Sequence, residues 1–328
     1  MKSFIRDRCV ESFLWREDQK WAKKPLYDLG TALDQKTLLQ HAEATHMGRT
    51  VIISFLTKEY LSVGWTWIEA MKCIGLSNFI IVAGDAETSQ ALKGQGVTCI
   101  EAALDIGDAD PCWISPGGFT PKGLGLCVLK FPVVLKLLRE GFDVVLSDVD
   151  AIWLRNPLPV ITATVDMAFQ RVAHFPKPFV KYWGFAACSG FVFFRATAGG
   201  VALAEDCLRE QRVVQDDQLA LNLALLENDV RWNNLNKELN ASSFDAMRDV
   251  ELEASFEAAG SVSIEGETNH RDIVVLALAH HQFWRHGFVN FDLNEVIICH
   301  PNSLKCESSK IDNLRRRGVT CFYAPQSP

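Results

Sequence analysis

FDVVLSDVDAIWLRNP, residues 142–157, joins a short apolar run to a pair of acids. Phe142, Val144, Val145 and Leu146 read as a strand buried on both faces, the pattern of a parallel sheet covered by helices. The run stops at Ser147-Asp148-Val149-Asp150. Residues two apart on an extended chain point the same way, so the spacing predicts two carboxylates side by side at the strand's C-terminal end. Open α/β sheets bind their ligands at that end. Two adjacent carboxylates repel, and a hard divalent cation with oxygen ligands relieves the repulsion. The other reading of Asp-x-Asp is an acidic turn that caps the next segment. The apolar strand before it and Ala-Ile-Trp-Leu-Arg-Asn-Pro after it favour the metal site.

On either side the pattern alternates. Residues 1–49 read as a helical lead-in, with Leu38, Leu39, Ala42 and Ala44 on a partial stripe. Val51–Leu56 is a first strand, and Leu61–Ile74 an amphipathic helix that Gly75 can cap. Phe79–Ala83 is a second strand, Ala86–Lys93 a short helix and Val97–Glu101 a third strand. Strand–helix–strand–helix–strand is the βαβ order of a doubly wound sheet. Residues 105–123, rich in Pro and Gly, read as a long loop of the kind that covers binding sites. Cys127–Arg139 reads as a helix in which Pro132 is tolerable only in the first turn.

Downstream, Met167–Val172 is a candidate strand and His174–Phe185 (HFPKPFVKYWGF) a loop. Ser189-Gly190 opens the strand Phe191–Phe194, and Ala198–Arg212 is a helix. Asp216 is the expected N-cap of a further helix carrying Asp217-Gln218 and an apolar spacing at Leu219, Leu223 and Leu226. Residues 236–272 are polar and read as a surface insertion. Ile273–Ala279 and Ile297–His300 are late strands. The organisation is a helical lead-in over 1–49 and one domain over 50–328, with a division at about residue 157.

A chain of 328 residues with a formal net charge of −7 is sized for one large α/β domain and is no dedicated nucleic-acid binder. It has no apolar run of membrane-spanning length and no signal-peptide core, so no membrane contact is expected of the chain itself. The expected location is soluble and cytoplasmic, or the Golgi lumen if an N-terminal anchor has been removed. The ten cysteines include no C-x-x-C pair and read as small buried hydrophobes, with one bridge among Cys299, Cys306 and Cys321 left open. His280, His281 and His286 fit no zinc-helix spacing. Trp153, Trp183 and Trp284 are core residues or stacking platforms for a ligand.

An apolar helix ending in Gly141, an apolar strand and then SDVDAIWLRNP resembles the nucleotide-sugar glycosyltransferases of the GT-A fold, and most closely glycosyltransferase family 77. Thr50–Asp85, with Trp67-Ile68-Glu69 and Ala83-Gly84-Asp85, is similar to that family's opening. Lys130-Phe131-Pro132 resembles its Lys-Pro helix start, with Phe131 interposed. Ser189-Gly190-Phe191 resembles its Gly-Phe strand, Asp217-Gln218 its Asp-Gln helix and His300-Pro301-Asn302 its late His-x-Asn. Thr57 stands where the family usually has Asn. The resemblance spans roughly 38–235 and 273–318.

It implies an α/β GT-A fold: a Rossmann-like domain with a mostly parallel central sheet. It also implies a metal-dependent retaining transferase that moves sugar from a UDP-sugar to a hydroxyl on a glycan, protein or small molecule. The cofactor would be Mn²⁺ or Mg²⁺, held by Asp148, Asp150 and His300. Nucleotide and donor contacts would come from Ser54, Phe55, Leu56, Thr57, Asp85, Lys130, Asp148, Val149, Ser189, Gly190, Asn302 and Lys305, with Lys310 a further candidate for the diphosphate. Asp217 and Gln218 would be the catalytic pair, stabilising positive charge at the anomeric carbon. Arg315-Arg316-Arg317 reads as a solvated face. The alternative is a catalytically silent member of the fold that binds glycans or partners. A nucleotidyltransferase would need a Gly-rich phosphate loop after the first strand, where SFLTKEY stands.

Overall fold

The computed structural model describes residues 2–11, 32–104, 120–233, 262–269, 271–285, 292–301 and 307–319. Helix α1 (Lys2–Glu11) and helix α2 (Gln35–Thr45) precede strand β1 (Thr50–Leu56). Helix α3 (Leu61–Cys73), β2 (Phe79–Ala83), α4 (Ala86–Gly94) and β3 (Cys99–Glu101) complete the expected alternation. Then come α5 (Pro121–Arg139), β4 (Asp143–Ser147), β5 (Ile152–Trp153), β6 (Met167–Val172), α6 (Lys177–Trp183) and β7 (Ala186–Phe194). Helices α7 (Ala198–Val214) and α8 (Asp217–Glu227) lead to β8 (Arg231–Trp232), β9 (Ile264–Glu267), β10 (Val274–Ala277), β11 (Phe283–Trp284), β12 (Ile298–Cys299) and α9 (Glu307–Arg316).

The main sheet has the order β3-β2-β1-β4-β7-β6-β10-β9-β8. From β3 to β4 its strands are parallel. Strand β7 then runs antiparallel between β4 and β6. The parallel part is buried on both faces, as near-continuous apolar strands require. Val51, Ile53 and Phe55 of β1 share a core with Leu129, Val133 and Leu137 of α5. Ile52 and Leu56, one residue out of phase, join Val63, Trp67, Ile68 and Met71 of α3 on the other side. Each fully buried aliphatic side chain in these layers contributes about 1.5–3 kcal/mol.

Three expectations need correction. Helix α5 starts at Pro121, inside the expected loop, with the Thr120 side chain accepting from the Gly123 amide at 3.1 Å. Pro132 therefore lies mid-helix, where it removes one backbone bond at a cost of about 3 kcal/mol. The buried residues on either side, Phe131 and Val133, supply the apolar contact that offsets it. The second correction is α6, which lies within the expected loop 174–185. Pro178 occupies its first turn and Gly184, at φ 83°, ends it in the left-handed conformation, so residues that read as loop punctuation are a helix's start and stop. The third is β9, which falls inside the expected insertion yet pairs antiparallel with β10. The rest of that insertion, up to residue 261, is outside the described residues. No described helix is long and apolar enough to cross a membrane.

A candidate metal and donor site at the end of strand β4

Strand β4 ends at Ser147, one residue before the acidic pair. Asp148 and Asp150 therefore sit in a turn, closed by the Ala151 amide donating to the Asp148 carbonyl at 3.0 Å. The extended-chain spacing is not what brings the carboxylates together; the turn does so. Two bonds fix its start. The Asp148 amide donates to the Gly190 carbonyl at 2.8 Å, and the Trp153 indole N–H donates to Ser147 Oγ at 3.0 Å. Asp148 is half-buried and Asp150 buried.

A second, three-stranded sheet, ordered β11-β12-β5, delivers the histidine. Strand β5 follows Asp150 directly and pairs antiparallel with β12, Ile152 opposite Cys299. The residue after β12 is His300, so this register carries it back beside Asp150. Ligand atoms of Asp148, Asp150 and His300 lie within 4.8 Å of one another. His300 Nε2 is 3.2 Å from Asp150 Oδ1. Its Nδ1 is 2.9 Å from Gln170 Oε1, its amide donates to the Trp284 carbonyl at 2.8 Å, and its own carbonyl accepts from Arg285 Nη1 at 3.1 Å. The space beside the ring exists because residue 190 is glycine. A Cβ there would stand 2.1 Å from His300 Cε1 and 3.0 Å from Asp148 Oδ2. The strand around Gly190 is irregular: Phe169 faces Val192 but Gln170 faces Cys188. Such bulges re-aim groups beside active sites.

Two carboxylates and one imidazole suit Mn²⁺ or Mg²⁺, with the imidazole favouring the transition metal. The 3.2 Å contact of His300 Nε2 with Asp150 Oδ1 is met either by a cation between them or by a hydrogen on Nε2.

Lys130, from α5, reaches the site from behind the turn. Its ammonium donates to Asp148 Oδ1 at 2.7 Å and to Asp217 Oδ2 at 2.6 Å, and both Lys130 and Asp217 are buried. Burial by itself works to discharge the lysine, but the two carboxylates outweigh it and hold its pKa well above the ordinary value. Lys310 of α9 forms an ion pair with Asp150 Oδ2. Three carboxylates thus face two ammonium groups and a histidine, which leaves one negative charge in excess when the histidine is neutral.

At the start of α8 the two acids divide their work. Asp216 is the N-cap and accepts from the Leu219 amide at 2.8 Å, as expected of it. Asp217 is turned instead to Lys130. The Gln218 amide nitrogen donates to the Phe175 carbonyl at 2.7 Å. Asn222, one turn on, bonds both backbone groups of Ala187 at 2.8 Å and ties the helix to β7.

The other expected residues are placed as follows. Ser54, Phe55, Leu56 and Thr57 are buried at the end of β1, where a ligand would meet backbone rather than side chain. Asp85 caps α4 through the Thr88 amide at 2.8 Å and holds the Lys58 amide at 3.0 Å. Burial works to raise its pKa, but these two amides keep the carboxyl below its ordinary range. Its observed contacts are to the loop after β1. Val149 and Ser189 are buried beside the turn. Asn302, Lys305 and His286 lie outside the described residues. His280 is buried and receives the Arg285 amide at 3.5 Å. Trp153, Trp183 and Trp284 are all buried core residues. The free cysteines among the described residues include Cys299. Arg315 and Arg316 are exposed, whereas Arg317 stacks over Trp284 at 3.9 Å.

Sequence reasoning passed over Gln170 and Arg285. Their only local signal is a polar residue inside a buried run, MAFQRV for Gln170 and FWR for Arg285.

A profile of the nucleotide-diphospho-sugar transferase family matches residues 74–296. The chain is similar to the Beta-arabinofuranosyltransferase RAY1 of Arabidopsis thaliana, 29% identical over 126 residues, which is 34% of this chain and 21% of that protein. It is also similar to the Arabinosyltransferase XEG113 of the same plant, 26% identical over 116 residues, 35% of this chain and 17% of that one. The chain thus spans about a fifth of the length of these curated relatives. Among solved structures, mouse xyloside xylosyltransferase 1 aligns over 69% of this chain and 96% of its own, at 12% identity and a TM-score of 0.39. That likeness is too distant to carry a residue-by-residue correspondence.

Proposed function

Because the chain belongs to the nucleotide-diphospho-sugar transferase family, we propose that it is a metal-dependent, retaining glycosyltransferase moving sugar from a UDP-sugar to a hydroxyl acceptor. The observation that carries this reading is the meeting of Asp148, Asp150 and His300 beside the buried Lys130–Asp217 pair. We read residues 50–328 as the catalytic unit, with the donor half over about 50–157.

Asp148, Asp150 and His300 would hold Mn²⁺ or Mg²⁺, which neutralises the negative charge that grows on a departing diphosphate. Lys310, on the Asp150 side, adds a second positive charge for the same oxygens. Backbone groups around Ser54–Thr57 receive the nucleoside, in a loop whose shape Asp85 maintains. Asp217 supplies the opposite charge, a carboxylate for the oxocarbenium-like anomeric carbon. Lys130 fixes the orientation of that carboxylate through their ion pair. Gln218 lends its amide oxygen to the same face while its nitrogen is held by Phe175. The relatives' names make arabinofuranose the first donor sugar to try, and a glycan, glycoprotein or small-molecule hydroxyl the acceptor.

Calorimetry with UDP tests this reading. Binding should need Mn²⁺ or Mg²⁺ and be strongly weakened in Asp150→Ala. Undiminished affinity in excess chelator refutes the metal assignment. A donor-hydrolysis screen over UDP-arabinofuranose, UDP-xylose, UDP-galactose and UDP-glucose then identifies the sugar, and a chain that binds UDP but turns over none of these donors is the silent member of the fold instead.

A further inference from the structure

Gln170 stands in the buried strand β6 with no exposure to solvent, yet its amide contacts three groups of the second sheet. Its nitrogen donates to the carbonyls of Phe283 at 3.0 Å and Trp284 at 3.1 Å. Its oxygen lies 2.9 Å from His300 Nδ1. The two carbonyls settle which way the amide is turned, since carbonyls accept only and must both face the NH₂. The oxygen therefore faces the imidazole. An amide oxygen also only accepts, so the imidazole nitrogen opposite it must carry a hydrogen. Cys188 Sγ also lies within sulfur hydrogen-bond reach of Nδ1, at 4.0 Å, but it is a longer and weaker contact than the amide oxygen's.

We propose that Gln170 is a positioning residue for the metal site: it holds the proton of His300 on Nδ1 and so presents the Nε2 lone pair to the cation. The inference rests on the metal reading above. Metal-bound histidines are commonly set in this way by the partner of their second nitrogen. Here the partner is neutral and is itself fixed by two backbone carbonyls of β11. The backbone of His300 is held by the same strand and by Arg285. With Nδ1 facing the amide, Nε2 is left facing Asp150 Oδ1 at 3.2 Å.

The test uses the whole chain with ¹⁵N-labelled histidine. Ring nitrogen shifts are read with and without Mg²⁺, and Mn²⁺ affinity is measured by calorimetry on wild type and Gln170→Met. Wild-type His300 is expected to carry a proton on Nδ1 in both conditions and an unprotonated Nε2 when Mg²⁺ is bound. Gln170→Met should release the Nδ1 proton to exchange between the two nitrogens and weaken Mn²⁺ about 10- to 100-fold. A merely structural glutamine would lower the melting temperature and leave the proton's position alone. Mn²⁺ uptake with the wild-type proton on Nε2, or a position unchanged by Gln170→Met, overturns the role of Gln170 while the metal site stands. Absence of Mn²⁺ uptake by wild type overturns the metal reading and this role with it. If Gln170→Met does not fold, the wild-type ring nitrogens decide the matter alone.

Discussion

Gly190→Ala adds one methyl at the tightest point of the site, and the structure gives the size of the disturbance. The new carbon would stand 2.1 Å from His300 Cε1, 2.9 Å from Nδ1 and 3.0 Å from Asp148 Oδ2. Ordinary contact begins near 3.4 Å, so the ring must retreat by about 1.3 Å, several times the roughly 0.2 Å that metal–ligand distances tolerate. His300 has little room to do so, being 1% exposed and tied through Gln170, Trp284 and Arg285. Overpacking of this kind costs about 1–3 kcal/mol of stability. Losing one ligand of three should weaken Mn²⁺ and Mn²⁺-dependent UDP binding about 100-fold, equivalent to about 2.7 kcal/mol. Calorimetry with Mn²⁺ and then UDP, beside a melting curve, reads both effects. Gly94→Ala is the control, since nothing lies within 4 Å of a Cβ there, and it should change neither affinity. A folded Gly190→Ala protein with wild-type Mn²⁺ and UDP affinity refutes the packing argument and removes His300 from the ligand set.

Asp217→Asn should lower kcat by a factor on the order of 10² while leaving UDP affinity close to wild type, as expected of a group acting in the transition state. Near-normal turnover per folded molecule would limit Asp217 to its ion pair with Lys130. The same substitution should cost about 1–3 kcal/mol of stability, more than a helix-dipole contact, because Lys130 keeps only one of its two carboxylates. The product from an α-linked donor should be α-linked, read from the anomeric coupling constant by NMR; a β-linked product would demand a general base beside the acceptor. Asp85→Ala should cost about 1–2 kcal/mol through the lost cap. Because the folded carboxyl is held below its ordinary range, the stability gap between wild type and variant should be full above pH about 4 and close as the pH falls through the folded value. A gap that widens in acid would refute that assignment.

The local signals in the chain were legible because short stretches carry them. Apolar period and helix caps mark β1, β2, β4 and the helices α3 and α8, since a strand buried on both faces and a helix with one apolar stripe each need only their own residues to declare themselves. The misread helices α5 and α6 failed for a related reason. Pro132, Pro178 and Gly184 are ambiguous in isolation, and burial of Phe131, Phe179 and Trp183 decided their state.

By itself the sequence determined that an acidic pair ends a buried strand and that Asp216 caps a helix; it read Gly190 as the start of a strand that in fact begins at Ala186. It could not determine what faces what. Lys130 and Asp217 are 87 residues apart, Gln170 and His300 130, and Asp150 and Lys310 160. The antiparallel pairing of β5 with β12 brings His300 to Asp150, and the glycine at 190 leaves room for the ring. These are register decisions, fixed by how two sheets pack and invisible to local pattern. The roles of Lys130, bridging two carboxylates, and of Gln170, holding one proton, follow from that packing because a buried charge or amide must find its partners wherever the fold supplies them.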